Sequence, residues 1–325
     1  MYDGSSFAED CLSVFRYQYA NCAEYREYSR LLGVESPDTV TGIDGIPFLP
    51  VRFFKQYKIV SEGCRKISGD PVVFSSSSTT GQIPSRHYVL DRTVYERSFL
   101  DCFRMFYGQP DTYVILALLP SYLEREGSSL VYMAERLIRE TSDPLSGFYL
   151  YDYGRLYSLL QDLGRQGRKT LLLGVAFALM DFADKYSLPG PNDSWLTVME
   201  TGGMKGRREE ISRDAMHGKL RKGFSVSSIH SEYGMCELLS QAYSAGNGIF
   251  RTPPWMKIIV RDIHDPLVSL PEGKQGIIDI VDLANINSCS FIETEDIGRL
   301  LPDGSFTVDG RLSGAERRGC NMLIE

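Results

Sequence analysis

Apolar runs of strand length alternate with amphipathic stretches of helical length between residues 113 and 229. The pattern predicts strands at 113–119, 148–151, 169–175, 195–199 and 224–229, with intervening helices at 128–139, 153–164, 176–185 and 209–220. Such alternation indicates βαβ units, and hence a mostly parallel sheet covered by helices. In such an α/β sheet, ligands bind at the loops that leave the C-terminal ends of the strands.

The flanking regions have different patterns. The N-terminal side predicts helices at 7–32 that end at Gly33, short strands at 51–54, 58–60 and 72–74, and a helix capped by Asp91. The C-terminal side predicts strands at 256–263, 276–283 and 291–292, with a hairpin turn at 301–306. We therefore expect an α/β core over 1–250 and a mainly β subdomain of the same large domain over 251–325.

Charge and cysteine usage exclude several classes of protein. There are 35 Lys and Arg against 42 Asp and Glu, whereas a nucleic-acid-binding protein normally has a basic surplus. No apolar run reaches the length of a membrane span, and the acidic, polar start of the chain predicts no signal peptide. The 7 cysteines include no Cys-x-x-Cys pair. We therefore expect no nucleic-acid partner, no membrane span, and reduced thiols in the cytoplasm.

A hydroxyl-rich turn follows the predicted strand at 72–74. It reads Ser-Ser-Ser-Ser-Thr-Thr-Gly at 75–81. Hydroxyl and backbone N–H groups at this density suit the oxygens of a polyphosphate, and Gly81 allows close approach of the backbone. The Gly-Lys-Ser/Thr ending of a P-loop is missing. A flexible Ser/Thr linker is the alternative interpretation.

Three later stretches carry groups that suit a nucleotide. The Gly-Gly turn at 202–203 lets the backbone approach a flat ring, and Tyr233 offers a ring for stacking. Glu237 is a carboxylate that could hold Mg²⁺ on a phosphate. Asp296 can accept from two ribose hydroxyls, and Arg311 can bind phosphate or ribose oxygens. Each stretch also has a structural alternative. The Gly-Gly turn could simply connect a strand to a helix, Tyr233 could pack in a turn, and Glu237 could be solvated. Asp296 and Arg311 could form a surface ion pair.

The order of these motifs resembles that of the adenylate-forming superfamily of acyl and aryl ligases. That superfamily has Thr-Ser-Gly-Thr-Thr-Gly, then Tyr-Gly-x-Thr-Glu, then Thr-Gly-Asp. This chain has Ser-Ser-Ser-Thr-Thr-Gly at 76–81, Tyr-Gly-Met-Cys-Glu at 233–237 and Thr-Glu-Asp at 294–296. Its length, Ser-Tyr-Leu-Glu-Arg at 121–125 and Arg-Gly-Cys at 318–320 narrow the resemblance to the acyl-protein synthetase family, the fatty-acid-activating component of bacterial bioluminescence.

The resemblance implies a fold and an activity. The fold is α/β, with the mostly parallel, helix-covered sheets of an adenylate-forming ligase N-terminal domain, a mainly β subdomain at the end, and no small C-terminal lid domain. The activity uses ATP and Mg²⁺ to convert a fatty or other carboxylic acid to acyl-AMP. The acyl group then passes to a cysteine thiol and on to an acyl-accepting reductase or carrier protein.

The resemblance also implies residue roles. The expected phosphate-binding residues are Ser76, Ser77, Thr79, Thr80 and Gly81. The expected adenine-binding residues are Gly202, Gly203 and the stacking Tyr233. Glu237 is expected to hold Mg²⁺, Asp296 the ribose hydroxyls, and Arg311 the ribose or a phosphate. Cys320 is the expected acyl acceptor, with Arg317 and Arg318 favouring its thiolate.

The sequence departs from the superfamily pattern at several positions. Ser78 stands in place of the loop glycine, Cys236 in place of the motif threonine, and Arg86 is the nearest cation after the loop. Superfamily ligases usually carry a lysine in their C-terminal domain that contacts the α-phosphate, and that lysine cannot be placed here. Two alternatives follow: an aryl- or acyl-CoA ligase of the phenylacetate type, and a catalytically silent nucleotide-binding module.

Overall fold

The structure, a computed structural model of the chain, describes residues 7–63, 70–76, 83–119, 127–150, 152–202 and 211–312. The helices in these ranges are α1 (Phe7–Asn21), α2 (Ala23–Leu31), α3 (Phe53–Gln56), α4 (Arg92–Tyr107), α5 (Ser129–Thr141), α6 (Tyr153–Gln166), α7 (Ala176–Lys185) and α8 (Arg213–Phe224). The strands are β1 (Leu49–Pro50), β2 (Val72–Ser75), β3 (Arg86–Val89), β4 (Val114–Leu118), β5 (Gly147–Phe148), β6 (Thr170–Val175), β7 (Leu196–Thr201), β8 (His230–Tyr233), β9 (Ala242–Ser244), β10 (Ile249–Phe250), β11 (Met256–Arg261), β12 (Gln275–Asp282), β13 (Phe291–Leu300) and β14 (Phe306–Arg311).

The chain folds into two compact units. Unit 1 comprises Met1–Ser98, Cys236–Ser240 and Arg251–Glu325, and unit 2 comprises Phe99–Met235 and Gln241–Phe250. Each unit is therefore built from segments that are separated in the sequence. The predicted division at residue 250 stays a prediction.

Unit 2 contains a six-stranded sheet with the order β5-β4-β6-β7-β8-β9. All neighbouring pairs from β5 to β8 are parallel, and β9 pairs antiparallel with β8. Every residue of β4 and β6 is buried, as expected for strands covered on both faces. The α/β sheet predicted from the alternating pattern is confirmed.

Local signals set the helix ends in unit 2. The side chain of Ser128 accepts a hydrogen bond from the backbone N–H of Val131 and begins α5, and Asp152 begins α6 in the same way. Gly167 ends α6 in the left-handed conformation, with φ of 62°. Helices α7 and α8 pack together through stacked rings of Phe182 and Phe224, whose centroids are 5.4 Å apart.

The strand predicted at 224–229 is wrong. Phe224 is the last residue of α8, Ser225 adopts the left-handed conformation with φ of 52°, and β8 begins only at His230. Phe224, Val226 and Ile229 are all buried, so the apolar pattern marks a packed helix end and the connection that follows it. Burial of a connection produces the same sequence pattern as burial of a strand.

Unit 1 contains an antiparallel sheet in which β14, β13, β12 and β11 are neighbours in that order. β1 adds to it parallel with β13, pairing Leu49 with Ile292. The predicted hairpin turn is confirmed, because the N–H of Gly304 donates to the carbonyl of Leu301 between β13 and β14. β13 extends to Leu300, well beyond the predicted 291–292. The mainly β character predicted for the end of the chain is also confirmed.

The N-terminal helices of unit 1 pack on this sheet through aromatic side chains. The ring of Tyr25 stacks on Phe291 with 6.3 Å between centroids, and Phe15 meets the same ring edge-on. The strand predicted at 51–54 is wrong, because α3 begins at Phe53. The strand predicted at 58–60 is wrong as well: Ile59 and Val60 are buried without forming a strand, and Ser288 Oγ donates to the carbonyl of Ile59.

The hairpin β2–β3 and the helix α4 follow. Val72 pairs with Val89 and Ser75 with Arg86 in the antiparallel hairpin. The predicted cap of α4 is confirmed, because Asp91 Oδ1 accepts hydrogen bonds from the backbone N–H and the hydroxyl of Thr93. The two strands flank residues 77–82, which include most of the hydroxyl-rich turn and lie outside the described residues.

Candidate active site

The base of the hydroxyl-rich turn is closed by two serines. The N–H of Ser76 donates to the carbonyl of Ser85 at 3.1 Å, and the N–H of Ser85 donates to Ser76 Oγ at 2.9 Å. Ser76 therefore joins the two strands of the hairpin at its described end, and the bond to its Oγ leaves its hydroxyl hydrogen available as a donor. The other predicted phosphate-binding residues lie outside the described residues: Ser77, Thr79, Thr80 and Gly81.

Glu237 lies in a short irregular segment of unit 1, Cys236–Ser240, whose backbone is held by buried side chains. His87 Nδ1 lies 2.8 Å from the carbonyl oxygen of Cys236, and Asn285 Nδ2 donates to the carbonyl of Glu237 at 2.8 Å. His87 belongs to β3, the strand that leaves the hydroxyl-rich turn. The structure therefore connects the base of that turn directly to the segment that carries Glu237.

The other end of this segment is fixed by Asp282. Its Oδ2 accepts from the backbone N–H of Leu239 at 2.8 Å and of Ser240 at 3.0 Å, and its Oδ1 accepts from Ser240 Oγ at 2.6 Å. Burial raises the pKa of the Asp282 carboxyl, and these hydrogen bonds offset part of the rise. Trp255 Nε1 donates to Ser240 Oγ and completes the network.

The Glu237 side chain is a buried carboxylate of the kind that can bind Mg²⁺. It is only 4% exposed, and it forms no ion pair with any residue that the structure describes. Carboxylate oxygen is the donor that Mg²⁺ prefers, usually together with phosphate and water. In the described ranges no group of three or more His, Cys, Asp or Glu could hold a metal.

Cys236, which stands in the place of the motif threonine, is a protonated thiol. Burial raises the pKa of Cys236 well above its usual range, and the negative charge of the neighbouring Glu237 carboxylate raises it further. Its thiol donates to that carboxylate. Cys236 therefore supplies a weak hydrogen bond where the motif has a hydroxyl, and it is unsuited to act as a thiolate nucleophile.

Asp296 and Arg311 are brought together on neighbouring strands of unit 1. They are register partners in β13 and β14, and Arg311 Nε donates to Asp296 Oδ1 at 2.9 Å. Thr294 Oγ1 accepts from the backbone N–H of Asp296 and donates to the carbonyl of Ile278. The Asp296 side chain is 9% exposed and the Arg311 side chain 73% exposed. The predicted roles of both residues toward ribose and phosphate stay predictions.

In unit 2, the predicted adenine residues lie at the C-terminal ends of two neighbouring parallel strands. Gly202 follows β7 with φ of 66°, and Tyr233 ends β8. Thr201 and Glu232 are register partners, and Thr201 Oγ1 donates to Glu232 Oε2 at 2.5 Å. The Tyr233 ring packs edge-on against Phe250, with centroids 5.9 Å apart. Gly203 and Cys320 lie outside the described residues.

Sequence reasoning missed His87, Asn285, Asp282 and Glu232, the buried polar residues that hold the predicted ones in place. Two of them, His87 and Asp282, have a weak local signal, because they are polar residues within or beside apolar runs. His87 alternates with Val89 in a short strand, and Asp282 ends the apolar run of β12. Their partners are distant in the sequence, so the pattern alone does not identify them.

None of the helices in the described ranges combines the length and the apolarity needed to cross a membrane.

The fold is that of the adenylate-forming ligases. It matches 2-hydroxyisobutyryl-CoA ligase in complex with 2-HIB-AMP and CoA, with a TM-score of 0.65 and 14% identity over 95% of this chain and 70% of that one. It also matches ATP-bound MatB from Rhodopseudomonas palustris, with a TM-score of 0.53 and 16% identity over 78% of this chain and 49% of that one. A long-chain-fatty-acid-CoA ligase from Archaeoglobus fulgidus matches with a TM-score of 0.53 and 14% identity, over 74% of this chain and 51% of that one.

Part of the chain is also similar in sequence to a known ligase. The chain is 36% identical over 76 residues to the long-chain-fatty-acid–luciferin-component ligase of Photorhabdus luminescens. The aligned segment covers 22% of this chain and 61% of that protein, so the chain matches less than two thirds of its relative. No family profile matches the chain. The resemblance to the adenylate-forming superfamily is confirmed at the level of the fold.

Proposed function

We propose that this protein uses ATP to activate a carboxylic acid as acyl-AMP. The observation that carries the proposal is the hydrogen-bonded link between the strand leaving the hydroxyl-rich turn and the segment of Glu237. It joins the base of a predicted phosphate loop to a buried carboxylate that lacks a cationic partner among the described residues. The ligase fold and the order of the motifs support the same conclusion.

The proposed reaction requires positioning and charge neutralisation rather than a strong base. A carboxylate oxygen of the acid attacks the α-phosphorus of ATP, and pyrophosphate leaves. The hydroxyl-rich turn, beginning with Ser76, would donate hydrogen bonds to the phosphates. Glu237 would hold Mg²⁺, which when bound neutralises phosphate charge.

The remaining residues would hold the nucleoside. Gly202 would allow the adenine ring to approach the backbone closely, with Gly203 beside it, and Tyr233 would stack on the ring. Asp296 would accept hydrogen bonds from the ribose hydroxyls, and Arg311 would bind ribose or phosphate oxygens. The shielded Asp296 carboxylate and the exposed Arg311 guanidinium suit a fixed acceptor with a mobile cation beside it.

A fatty acid is the substrate we propose, with a protein cysteine as the acyl acceptor. The sequence similarity to the luciferin-component ligase, whose name specifies a long-chain fatty acid, supports this choice. In the second step a thiolate sulfur attacks the acyl carbon, the bond from that carbon to AMP breaks, and AMP leaves. Cys320 is the candidate acceptor within the chain, and a reductase or carrier protein would receive the acyl group in the cytoplasm.

A second candidate acceptor is coenzyme A. The observation that favours it is the fold similarity to solved CoA ligases, one of them bound to an acyl-AMP and CoA. With this acceptor, acyl-CoA forms when coenzyme A is added. A Cys320→Ser variant separates the two, because it loses the thioester on the protein and keeps the capacity to form acyl-CoA.

Pyrophosphate exchange tests the first step. The protein is incubated with ATP, Mg²⁺, labelled pyrophosphate and a panel of carboxylic acids that ranges from acetate to tetradecanoate. We expect acid-dependent transfer of label into ATP, with loss of transfer in Glu237→Gln. A rise in melting temperature with ATP but no exchange with any acid would instead indicate a silent nucleotide-binding module.

A further inference from the structure

The segment Cys236–Ser240 depends on side chains for its hydrogen bonds. It forms neither helix nor strand, so no backbone ladder fixes it. Three side chains that are almost completely buried replace that ladder: His87, Asn285 and Asp282. Buried backbone carbonyls and N–H groups lose free energy when they are unpaired, and these three side chains therefore determine the conformation of the segment.

His87 is the member of this set that belongs to the hydroxyl-rich hairpin. It pairs in register with Phe74 across the hairpin, two residues after Ser85, which closes the base of the turn. The ring of Phe54 meets the imidazole edge-on with 5.6 Å between centroids. The imidazole is therefore fixed by the hairpin on one side and by packing on the other.

The polar surroundings of the imidazole make the site specific for a hydrogen-bonding side chain. Nδ1 lies 2.8 Å from the carbonyl oxygen of Cys236, and Nε2 lies 3.0 Å from Asn285 Oδ1. Asn285 in turn donates through Nδ2 to the carbonyl of Glu237. A neutral imidazole carries one N–H, and in the Nδ1–H tautomer it donates to the Cys236 carbonyl, so an apolar side chain of similar size would leave that carbonyl without its donor.

We propose that His87 is a positioning residue for acid activation, which fixes the segment of Glu237 to the hairpin β2–β3. It acts by donating its one N–H to the carbonyl of Cys236, while Asn285 separately holds the carbonyl of the adjacent Glu237. The proposal rests on the proposed function, in which Glu237 holds Mg²⁺ at the phosphates. His87 does not touch the substrate; it fixes the segment that carries the proposed metal-binding carboxylate to the hairpin.

Two substitutions separate hydrogen bonding from packing. In His87→Asn the amide nitrogen can occupy the place of Nδ1 and donate to the Cys236 carbonyl. His87→Leu fills a similar volume and donates nothing. The full-length protein and both variants are compared by hydrogen exchange of the peptide spanning 236–240 without ligand, and by the rise in melting temperature with ATP as Mg²⁺ is added.

We expect His87→Leu to exchange at least about tenfold faster in this peptide and to need about tenfold more Mg²⁺ for the half-maximal rise, a typical loss when the support of a metal ligand is removed. His87→Asn should stay within about threefold of the wild type in both. The stabilisation by ATP in EDTA should be equal in all three proteins, since it does not depend on Glu237.

Unchanged exchange in His87→Leu, or equal losses in His87→Asn and His87→Leu, would overturn the positioning role. If His87→Leu does not fold, the Asn variant decides alone: wild-type values support the proposal, and a tenfold loss overturns it. Failure of the proposed function has a different signature, because the wild type itself would then show neither Mg²⁺-dependent stabilisation nor pyrophosphate exchange. The exchange of the 236–240 peptide would still decide whether His87 holds this segment.

Discussion

Thr201 Oγ1 donates a hydrogen bond to Glu232 Oε2 across 2.5 Å and so joins the C-terminal ends of two parallel strands in unit 2. Gly234 permits this arrangement, because a Cβ atom there would lie 2.5 Å from Glu232 Oε1. The bond fixes the ends of β7 and β8, from which Gly202 and Tyr233 extend. The residues proposed to hold adenine are thus supported by a buried carboxylate on the neighbouring strand end.

We expect Gly234→Ala to displace the Glu232 carboxylate and break its bond to Thr201. A hydrogen bond to a charged group contributes about 1.5–3 kcal/mol, so the free energy of unfolding should fall by about that amount, and ATP binding should weaken several-fold. Urea unfolding and the ATP-induced shift in melting temperature measure both effects. Gly218→Ala is the matched control: it lies in α8 with open space around it, and it should stabilise the protein slightly. Equal behaviour of the two variants would contradict the account.

The stability of unit 1 should depend on pH through His87. Burial lowers the pKa of His87 to about 4, although the hydrogen bonds with Cys236 and Asn285 raise it. In the unfolded chain the pKa of histidine is about 6.5, so between about pH 4 and 6.5 the unfolded state binds more protons. The His87 contribution to the free energy of unfolding therefore falls as the pH drops through this window, by about 2 kcal/mol between pH 7 and 5.

His87→Asn has no titrating group at this position and should lose that part of the pH dependence. Urea unfolding at pH 5 and pH 7 measures it in both proteins. Burial also lowers the pKa of His230, which is present in both proteins, so the comparison isolates His87. The same loss of stability on acidification in both would show that His87 does not titrate as described.

Asp282 should be far more important for stability than an exposed carboxylate with similar hydrogen bonds. In Asp282→Asn an amide NH₂ group replaces one acceptor oxygen, so at least one donor among Leu239, Ser240 and its hydroxyl is left unpaired in a buried site. We expect a loss of about 1–3 kcal/mol in the free energy of unfolding. Asp262 also accepts from two backbone N–H groups, but these hydrogen bonds are exposed, and Asp262→Asn should change stability much less. A similar small change in both variants would be inconsistent with the network.

Arg311 should contribute to ATP binding and little to stability. Its ion pair with Asp296 is mostly exposed on the arginine side, and exposed pairs contribute less than about 1 kcal/mol. We expect Arg311→Ala to unfold at nearly the same urea concentration as the wild type while the half-saturating ATP concentration rises. Arg251→Ala removes the exposed pair with Asp303 and serves as the control with unchanged ATP dependence. Equal ATP dependence in the two variants would remove Arg311 from the proposed site.

The sequence predicted the fold better than it predicted the support of the site. The alternation of buried strands and amphipathic helices was sufficient for unit 2, because a strand such as β6 is apolar throughout when both of its faces are covered. The apolar residues between Phe224 and Ile229 led to the wrong prediction of a strand, because a buried connection has the same composition as a strand. Exact strand ends such as the extension of β13 to Leu300 depend on pairing with distant strands.

The motif residues Tyr233, Glu237, Asp296 and Arg311 could be proposed from the sequence because each belongs to a short local motif and the motifs occur in a characteristic order. Their supports could not be selected in the same way. His87 meets Cys236 and Asn285, which lie 149 and 198 positions away in the chain. Such contacts arise from tertiary packing, and a local pattern carries no record of them.

The most direct test of acid activation uses a carboxylic acid labelled with ¹⁸O in its carboxylate. The full-length protein is incubated with the labelled acid, ATP, Mg²⁺ and a thiol acceptor, and the AMP produced is examined by mass spectrometry. Attack of a carboxylate oxygen on the α-phosphorus predicts one ¹⁸O atom in each AMP. Unlabelled AMP, or ADP as the nucleotide product, would contradict the account.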